Sequence, residues 1–219
     1  MTRRCIASIT PSQRKPGRFT LEVEGQQIAT LSIDAIERLG LARGSAFDDG
    51  TAAAVEREVG ILATYDRALN LLAARARASA DLHRLLVSKG EPKDRVDAAI
   101  GRLEHAGFLD DSSFARQFTR SKVLDGGFSR CRVQLELEKR GVARDVAIQA
   151  IDAVFVEDGV NEAASIERIA RKKLRTLINQ DAPTRKRRLY AFLARRGYHA
   201  DDIGRVMRNL LNEATRHAE

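Results

Sequence analysis

"VQLELEKRGVARDVAIQAIDAV", residues 133–154, carries the pattern that decides the fold of this 219-residue chain. It turns on Gly141. Val133 and Leu137 stand eight and four residues before that glycine; Ala147, Ala150, Ile151 and Val154 stand six, nine, ten and thirteen after it. Steps of three and four put each set on one face of a helix. Gly fits between two such helices because a helix commonly ends in the left-handed conformation, which Gly adopts without a Cβ penalty. The spacing recurs around Gly90 (Leu82, Leu86, then Val96, Ala99, Ile100, Leu103) and around Gly197 (Leu189, Leu193, then Ile203, Val206, Met207, Leu210). Every one of these positions is apolar in all three copies, so the chain contains a repeat.

Working outward, each copy is a helix ending at Gly, a short turn and a second helix. Ala53–Arg75, Ser112–Leu124 and Asn161–Ile178 supply a preceding helix for each, which makes three tandem three-helix modules. Three helices and a short turn also describe helix-turn-helix and winged-helix units. A row of such units, each touching chiefly its neighbours, is expected to be elongated. The first 50 residues differ. Arg18–Val23 alternates as a strand, Glu24-Gly25 supplies turn chemistry, Gln26–Leu31 returns, and Cys5–Thr10 adds a third strand. "SIDAIERLGL" (32–41) is a short helix with Ser32 or Asp34 as cap and Gly40 as stop. From residue 51 onward the pattern is helical, with Val55, Val59, Leu62, Tyr65, Leu69 and Leu72 on one stripe. The expected fold class is mainly α, three three-helix modules preceded by a small β-hairpin lobe. The expected boundaries are 1–50 for the lobe, 51–107 and 108–157 for the first two modules, and 158–219 for a basic third module. A hairpin lobe that small is marginal alone and should lean on the helix that follows.

Two adjacent carboxylates, Asp110-Asp111, invite a metal reading in a basic protein. They sit immediately before the helix carrying Phe114 and Phe118. A carboxylate at a helix start accepts backbone N–H bonds and favours the positive end of the dipole. Asp48-Asp49 and Asp201-Asp202 repeat the usage. A catalytic ion would need further acidic or His ligands nearby, and the local sequence offers none. These aspartates start helices. There is no G-x-x-x-x-G-K-[ST], no G-x-G-x-x-G after a strand, no H-E-x-x-H and no nucleophile elbow. His83, His105, His199 and His217 are scattered. Phe114, Phe118 and Phe128 are assigned to the core rather than to base stacking, since a chain without Trp has few other aromatics to fill it. The expectation is a protein that is not an enzyme and takes neither cofactor nor metal.

The net charge is +8, and its distribution is uneven. Residues 161–219 hold 14 Lys/Arg against 7 Asp/Glu, while the other 160 residues are nearly balanced. The surplus lies in "RKKLR" (171–175) and "RKRR" (185–188). Such clusters attract polyanions or acidic protein surfaces, or serve as a solvated helix face. No apolar run approaches the roughly 18 residues of a membrane span, and the start has no apolar stretch of a secretory signal. Cys5 and Cys131 signal neither a zinc site nor a disulfide framework. A cytoplasmic monomer without membrane contact is expected.

Together, "GFLDDSSFARQFTRSKVLDGGFSRCRVQLELEKRG" (107–141), "RALNLLAARARASADLHRLLVSKG" (67–90) and "FLARRGYHADDIGRVMRNLL" (192–211) resemble the RecX family, regulators of the RecA recombinase. The likeness covers roughly residues 60–211, and the N-terminal lobe looks like the extension of longer members. Where members often read Gly-Tyr-Gly-Pro, this chain has Gly127, Phe128, Ser129 and Arg130. The resemblance implies a curved row of modules that binds the RecA–DNA filament without catalysis of its own. It implies restraint of the filament's ATP hydrolysis, strand exchange and coprotease activity in recombination, DNA repair and the SOS response. The candidate contacts to RecA or DNA are Arg171, Lys172, Lys173, Arg175, Arg185, Lys186, Arg187 and Arg188 in the third module, and Lys122, Arg130, Arg132 and Arg140 in the second. The alternative is a direct DNA-binding protein acting without RecA, using its basic clusters on the phosphates of single- or double-stranded DNA.

Overall fold

The structure is a computed structural model that describes residues 4–216. It divides into two compact units: the residues up to Ala76 with Leu82–Leu109, and Arg77–Asp81 with the residues from Asp110 onward.

In the first unit β1 (Ile6–Pro11), β2 (Arg18–Val23) and β3 (Gln26–Ser32) form an antiparallel sheet in chain order. Glu24 and Gly25, at φ 50° and 78°, close the β2–β3 hairpin, and Val23 pairs with Gln26 across it. Two positive φ values give the turn whose twist matches that of the flanking strands. Ser32 then caps α1 (Ile33–Arg38), accepting from the Ala35 N–H. Ile6, Leu21, Val23, Leu31 and Phe47 make a core that is completed by Val55 and Leu62. Those two belong to α2 (Asp49–Ala74), so the lobe leans on this helix as its size requires. The helix begins four residues before the expected Ala53 because Asp48 accepts from the Thr51 N–H at 2.7 Å.

Ala68 of α2, Leu82 and Leu86 of α3 (Ser79–Ser88), and Val96, Ile100 and Leu103 of α4 (Lys93–His105) form a separate core in the same unit. One charged group is enclosed there. Glu58, 4% exposed, takes both terminal nitrogens of Arg102 at 2.7 and 2.9 Å and Arg38 at 2.7 Å. Burial works to raise its pKa, but hydrogen bonds and charge from Arg102 and Arg38 outweigh burial and hold it below the usual carboxylate range.

The second unit holds α5 (Asp111–Arg120), α6 (Arg130–Lys139), α7 (Arg144–Glu157), α8 (Glu162–Arg175), α9 (Ala182–Arg195) and α10 (Ala200–Arg216). Its two cores gather around Val133, Leu137, Ala147 and Ile151, and around Ile166, Leu189, Leu193 and Ile203. Past α5 the chain makes one wider turn over Ser121–Asp125, where the Gly126 N–H reaches back five residues to the Ser121 carbonyl. The expected Ser112–Leu124 helix therefore ends in a π-type turn. The expected Asn161–Ile178 helix is shorter: Asn161 is its cap, accepting from the Ala164 N–H, and Leu177 lies beyond its end, 4% exposed.

The repeat has one joint used three times. Gly90, Gly141 and Gly197 have φ of 89°, 87° and 87°. In each copy the residue after the glycine donates to the carbonyl of a core leucine: Glu91 to Leu86, Val142 to Leu137, Tyr198 to Leu193. The glycine itself donates to the residue after that leucine: Val87, Glu138 or Ala194. This paired closure satisfies carbonyls that a helix end leaves unmated. Leu86, Leu137 and Leu193 are all fully buried, so the three copies share their interior.

Asp110 Oδ1 accepts from the N–H groups of Ser112 and Ser113 at 2.8 and 3.1 Å, and its Oδ2 accepts from the Ser113 hydroxyl at 2.7 Å. Asp111 accepts from the Ser79 N–H at 2.8 Å. Both carboxylates are thus engaged at helix starts. The Ser113 hydrogen bonds hold the Asp110 carboxyl below its ordinary value. A depressed carboxylate stabilises the fold fully above the unfolded pKa and stops doing so as pH falls through the folded one. Asp110→Ala is therefore expected to cost about 1 kcal/mol at pH 7. The difference should shrink below about pH 4, as urea denaturation at pH 7 and pH 3 would reveal.

Candidate partner-binding surface

The basic clusters occupy α8 and α9 of the second unit. On α8, Ile166, Ile169 and Ala170 turn into the core, which leaves Arg171, Lys172 and Arg175 exposed. Arg171 pairs with Glu167 one turn back, at 2.7 Å. Lys173 is half-buried, with Nζ 5.5 Å from the centre of the Phe192 ring. Lys172, Lys173 and Arg175 fall in the last helical turn, where cations complement the negative dipole end.

α9 carries its cluster in its first half, away from both ends. Asp181 caps it, accepting from the Thr184 N–H at 3.1 Å, and this bond leads in holding its carboxyl below the ordinary range. Leu189 and Leu193 are buried, so Lys186, Arg187 and Arg188 point outward while Arg185 is half-buried. These four cations occupy the fourth to seventh positions of the helix, beyond the reach of most of the dipole's effect. Among the described residues no carboxylate lies within ion-pair distance of Lys172, Arg175, Lys186 or Arg188.

The four expected residues of the second module separate. Lys122, Arg132 and Arg140 converge on two rings. Lys122 lies 5.3 Å from Phe118 and 5.7 Å from Phe128; Arg132 lies 5.9 Å from Phe128, and Arg140 4.6 Å from Phe118. Arg132 and Arg140 share Glu136, whose carboxyl is held low, first by the Arg140 hydrogen bond. Arg130 stands apart: it binds Asp152 at 2.6 Å and covers Phe155 at 4.4 Å. Its N–H is taken by Glu162, while Ser129 caps the helix.

A further cation, absent from the expected set, joins the clusters. The Arg196 guanidinium lies 4.4 Å from Phe192 and 5.6 Å from Phe128. Burial there pushes its pKa down. Beside it the Tyr198 hydroxyl is pushed up to about 12, mainly by burial and then by Glu162. Backbone fixes the place: the Ser129 N–H donates to the Arg196 carbonyl at 3.0 Å, and the Ser129 hydroxyl to the Gly197 carbonyl at 2.7 Å. The expected assignment of Phe114, Phe118 and Phe128 to the core holds in part, since all three pack on it while half-exposed. Spacing carried a signal for this surface. Lys122, Arg132 and Arg196 each follow a Phe by four residues.

Models of the second and third three-helix domains of RecX match residues 110–151 and 161–207. The regulatory protein RecX of Amycolatopsis mediterranei (strain U-32) is 37% identical over 129 residues, 59% of this chain and 72% of that protein. Its counterpart in Mycobacterium avium (strain 104) is 39% identical over 132 residues, 59% and 74% of the two chains. This chain belongs to the RecX family. A RecX of Mycolicibacterium vanbaalenii extends the match to 155 residues at 38% identity, 68% of this chain and 83% of that one. The crystal structure of a regulatory protein RecX shares the fold with a TM-score of 0.75 at 19% identity, covering 93% of this chain and 98% of that one. The RecX structure from Lactobacillus salivarius gives 0.54 at 18% identity, over 69% and 96%. These relatives carry the name regulatory protein RecX. No helix among the described residues is long and apolar enough to cross a membrane.

Proposed function

We propose that this chain binds the RecA–DNA nucleoprotein filament in the cytoplasm, as a monomer, and lowers its ATPase, strand-exchange and coprotease activities. It does so by docking and not by chemistry of its own. The observation that carries the reading is the Arg185–Arg188 cluster in a chain of the RecX family. The four cations lie in the first half of α9, and Lys186 and Arg188 meet no carboxylate among the described residues, which leaves them for an acidic surface or a phosphate backbone. The units of docking are the modules at 51–107, 108–157 and 158–219, with the lobe at 1–50 in support. A series of modules can bridge neighbouring RecA subunits along the filament. Restraint requires stronger binding to one filament state than to the others; equal affinity for all would shift nothing.

Replacing Arg185–Arg188 with Ala is expected to move the thermal midpoint little, because three of the four charges are exposed and such charges contribute little. Half-inhibition of RecA–single-strand ATP hydrolysis should then need about tenfold more protein, a loss of about 1.4 kcal/mol. Undiminished inhibition would remove the cluster from the interface. Direct DNA binding without RecA is the second reading, favoured by the rings interleaved with cations in the second unit. Pull-down on bare DNA and on RecA-coated strand at one salt concentration separates the two.

A further inference from the structure

The cations and rings of the second unit form a continuous alternation. Arg140 lies over Phe118, Lys122 bridges Phe118 and Phe128, Arg196 bridges Phe128 and Phe192, and Lys173 lies over the far side of the series at Phe192. Arg132 joins it at Phe128. The series crosses from the second three-helix core to the third, since Phe118 and Phe128 pack on one and Phe192 on the other. Among the described residues Glu136 is the acid paired into it, and Lys122, Lys173 and Arg196 have no carboxylate partner. Cations that stabilise a fold are usually answered by acids; these are answered by π faces instead. A ring holds a cation in position without neutralising it, so the row keeps its charge and loses little mobility on meeting a ligand.

We propose that this ladder of Phe118, Phe128 and Phe192 with Lys122, Arg196 and Lys173 is a track for single-stranded nucleic acid. Phosphates take the ammonium and guanidinium groups, while bases lie on the guanidinium planes and ring edges. Acidic peptide would satisfy the charge but leave the aromatic interleaving unused, whereas a single strand uses both. A duplex buries its bases and can use only the charge. The Arg196 guanidinium, desolvated between two rings, is the weakly hydrated kind of cation that stacking favours. The inference deepens the filament reading, since it names which part of a nucleoprotein partner the second and third modules touch, but it can be tested without RecA.

The probe is a fluorescein-labelled dT20, followed by anisotropy with the full chain alone as salt is raised. The three cations of the ladder without a carboxylate partner predict a log–log slope of roughly −2, at about −0.7 per phosphate on a single strand. Lys122→Gln with Lys173→Gln should make the slope shallower by about 1.4 while the thermal midpoint stays put. Lys89→Gln, an exposed lysine of the first unit, should leave the slope as it was. Phe128→Leu keeps apolar bulk for the core but removes the ring beneath three cations, and should weaken dT20 binding about tenfold. Equal affinity for a 20-base-pair duplex, an unchanged slope in the double Lys variant, or retention of polyglutamate in preference to dT20 would each overturn the track. Because RecA is absent, these outcomes are separable from the ATPase result with the Arg185–Arg188 variant.

Discussion

Leu137→Ala is expected to lower the stability of the chain by about 2–5 kcal/mol. The side chain is fully buried and packs with Val133, Val142, Ala147 and Ile151. Removing it takes apolar area out of the core and leaves a cavity that the surrounding helices fill only in part. Set against a total of 5–15 kcal/mol for an ordinary domain, such a loss is large. Leu135→Ala, two residues earlier on the same helix, is the internal control. Leu135 is 46% exposed, and its truncation should stay within about 0.5 kcal/mol. Urea denaturation of both variants decides the matter. If Leu137→Ala proves as silent as Leu135→Ala, the register of the repeat is wrong.

Gly197→Ala should be at least as damaging, for a different reason. At φ 87° an alanine is strained by about 1–2 kcal/mol, whatever space surrounds it. The added Cβ would also come 2.5 Å from the Arg132 Cβ and 2.6 Å from the Ser129 Oγ. Neither neighbour is the loose end of a side chain; Arg132 Cβ moves only with its backbone. Overpacking of that kind adds about 1–3 kcal/mol. Gly90→Ala separates the two contributions. Gly90 has φ 89° but nothing within 4 Å of an added Cβ, so it should show the strain alone. The gap between the two denaturation midpoints measures the contact, and equal losses would mean that Gly197 is held by nothing but its own conformation.

The interior was legible in the sequence because a repeated interior leaves a repeated spacing. Period and Gly placement sufficed to find Leu86, Leu137 and Leu193; polar residues at helix starts pointed to Ser32 or Asp34, to Asp48-Asp49 and to Asp110-Asp111, of which Ser32, Asp48 and Asp110 are the caps. What escaped was whatever depends on residues distant in the chain. Glu91 occupies the position at which the other copies bury Val142 and Tyr198, and it is only 8% exposed. Thr64, which donates to it at 2.6 Å, and Arg67 answer this carboxylate from α2, more than twenty residues away. The candidate surface divides in the same manner. Phe118 with Lys122 is a local pair, one helical turn apart, but Arg140 over Phe118 and Arg196 over Phe128 arise from packing. Arg130 sat in a basic stretch and looked free, yet Asp152 and Phe155 hold it. Charge counts see residues one at a time, and ion pairs are made by the fold.

The seam at Ser129 also limits what a repeated design can do. Copies that agree inside are tempting to treat as interchangeable parts, to be shuffled or traded between chains. Here one bend of the backbone serves as a hinge in every copy and, in the last copy alone of the two compared, as a socket for a neighbour's serine as well. A residue that the first copy could accept at its bend for the cost of strain alone would, in the last copy, also close the fitting that receives Ser129.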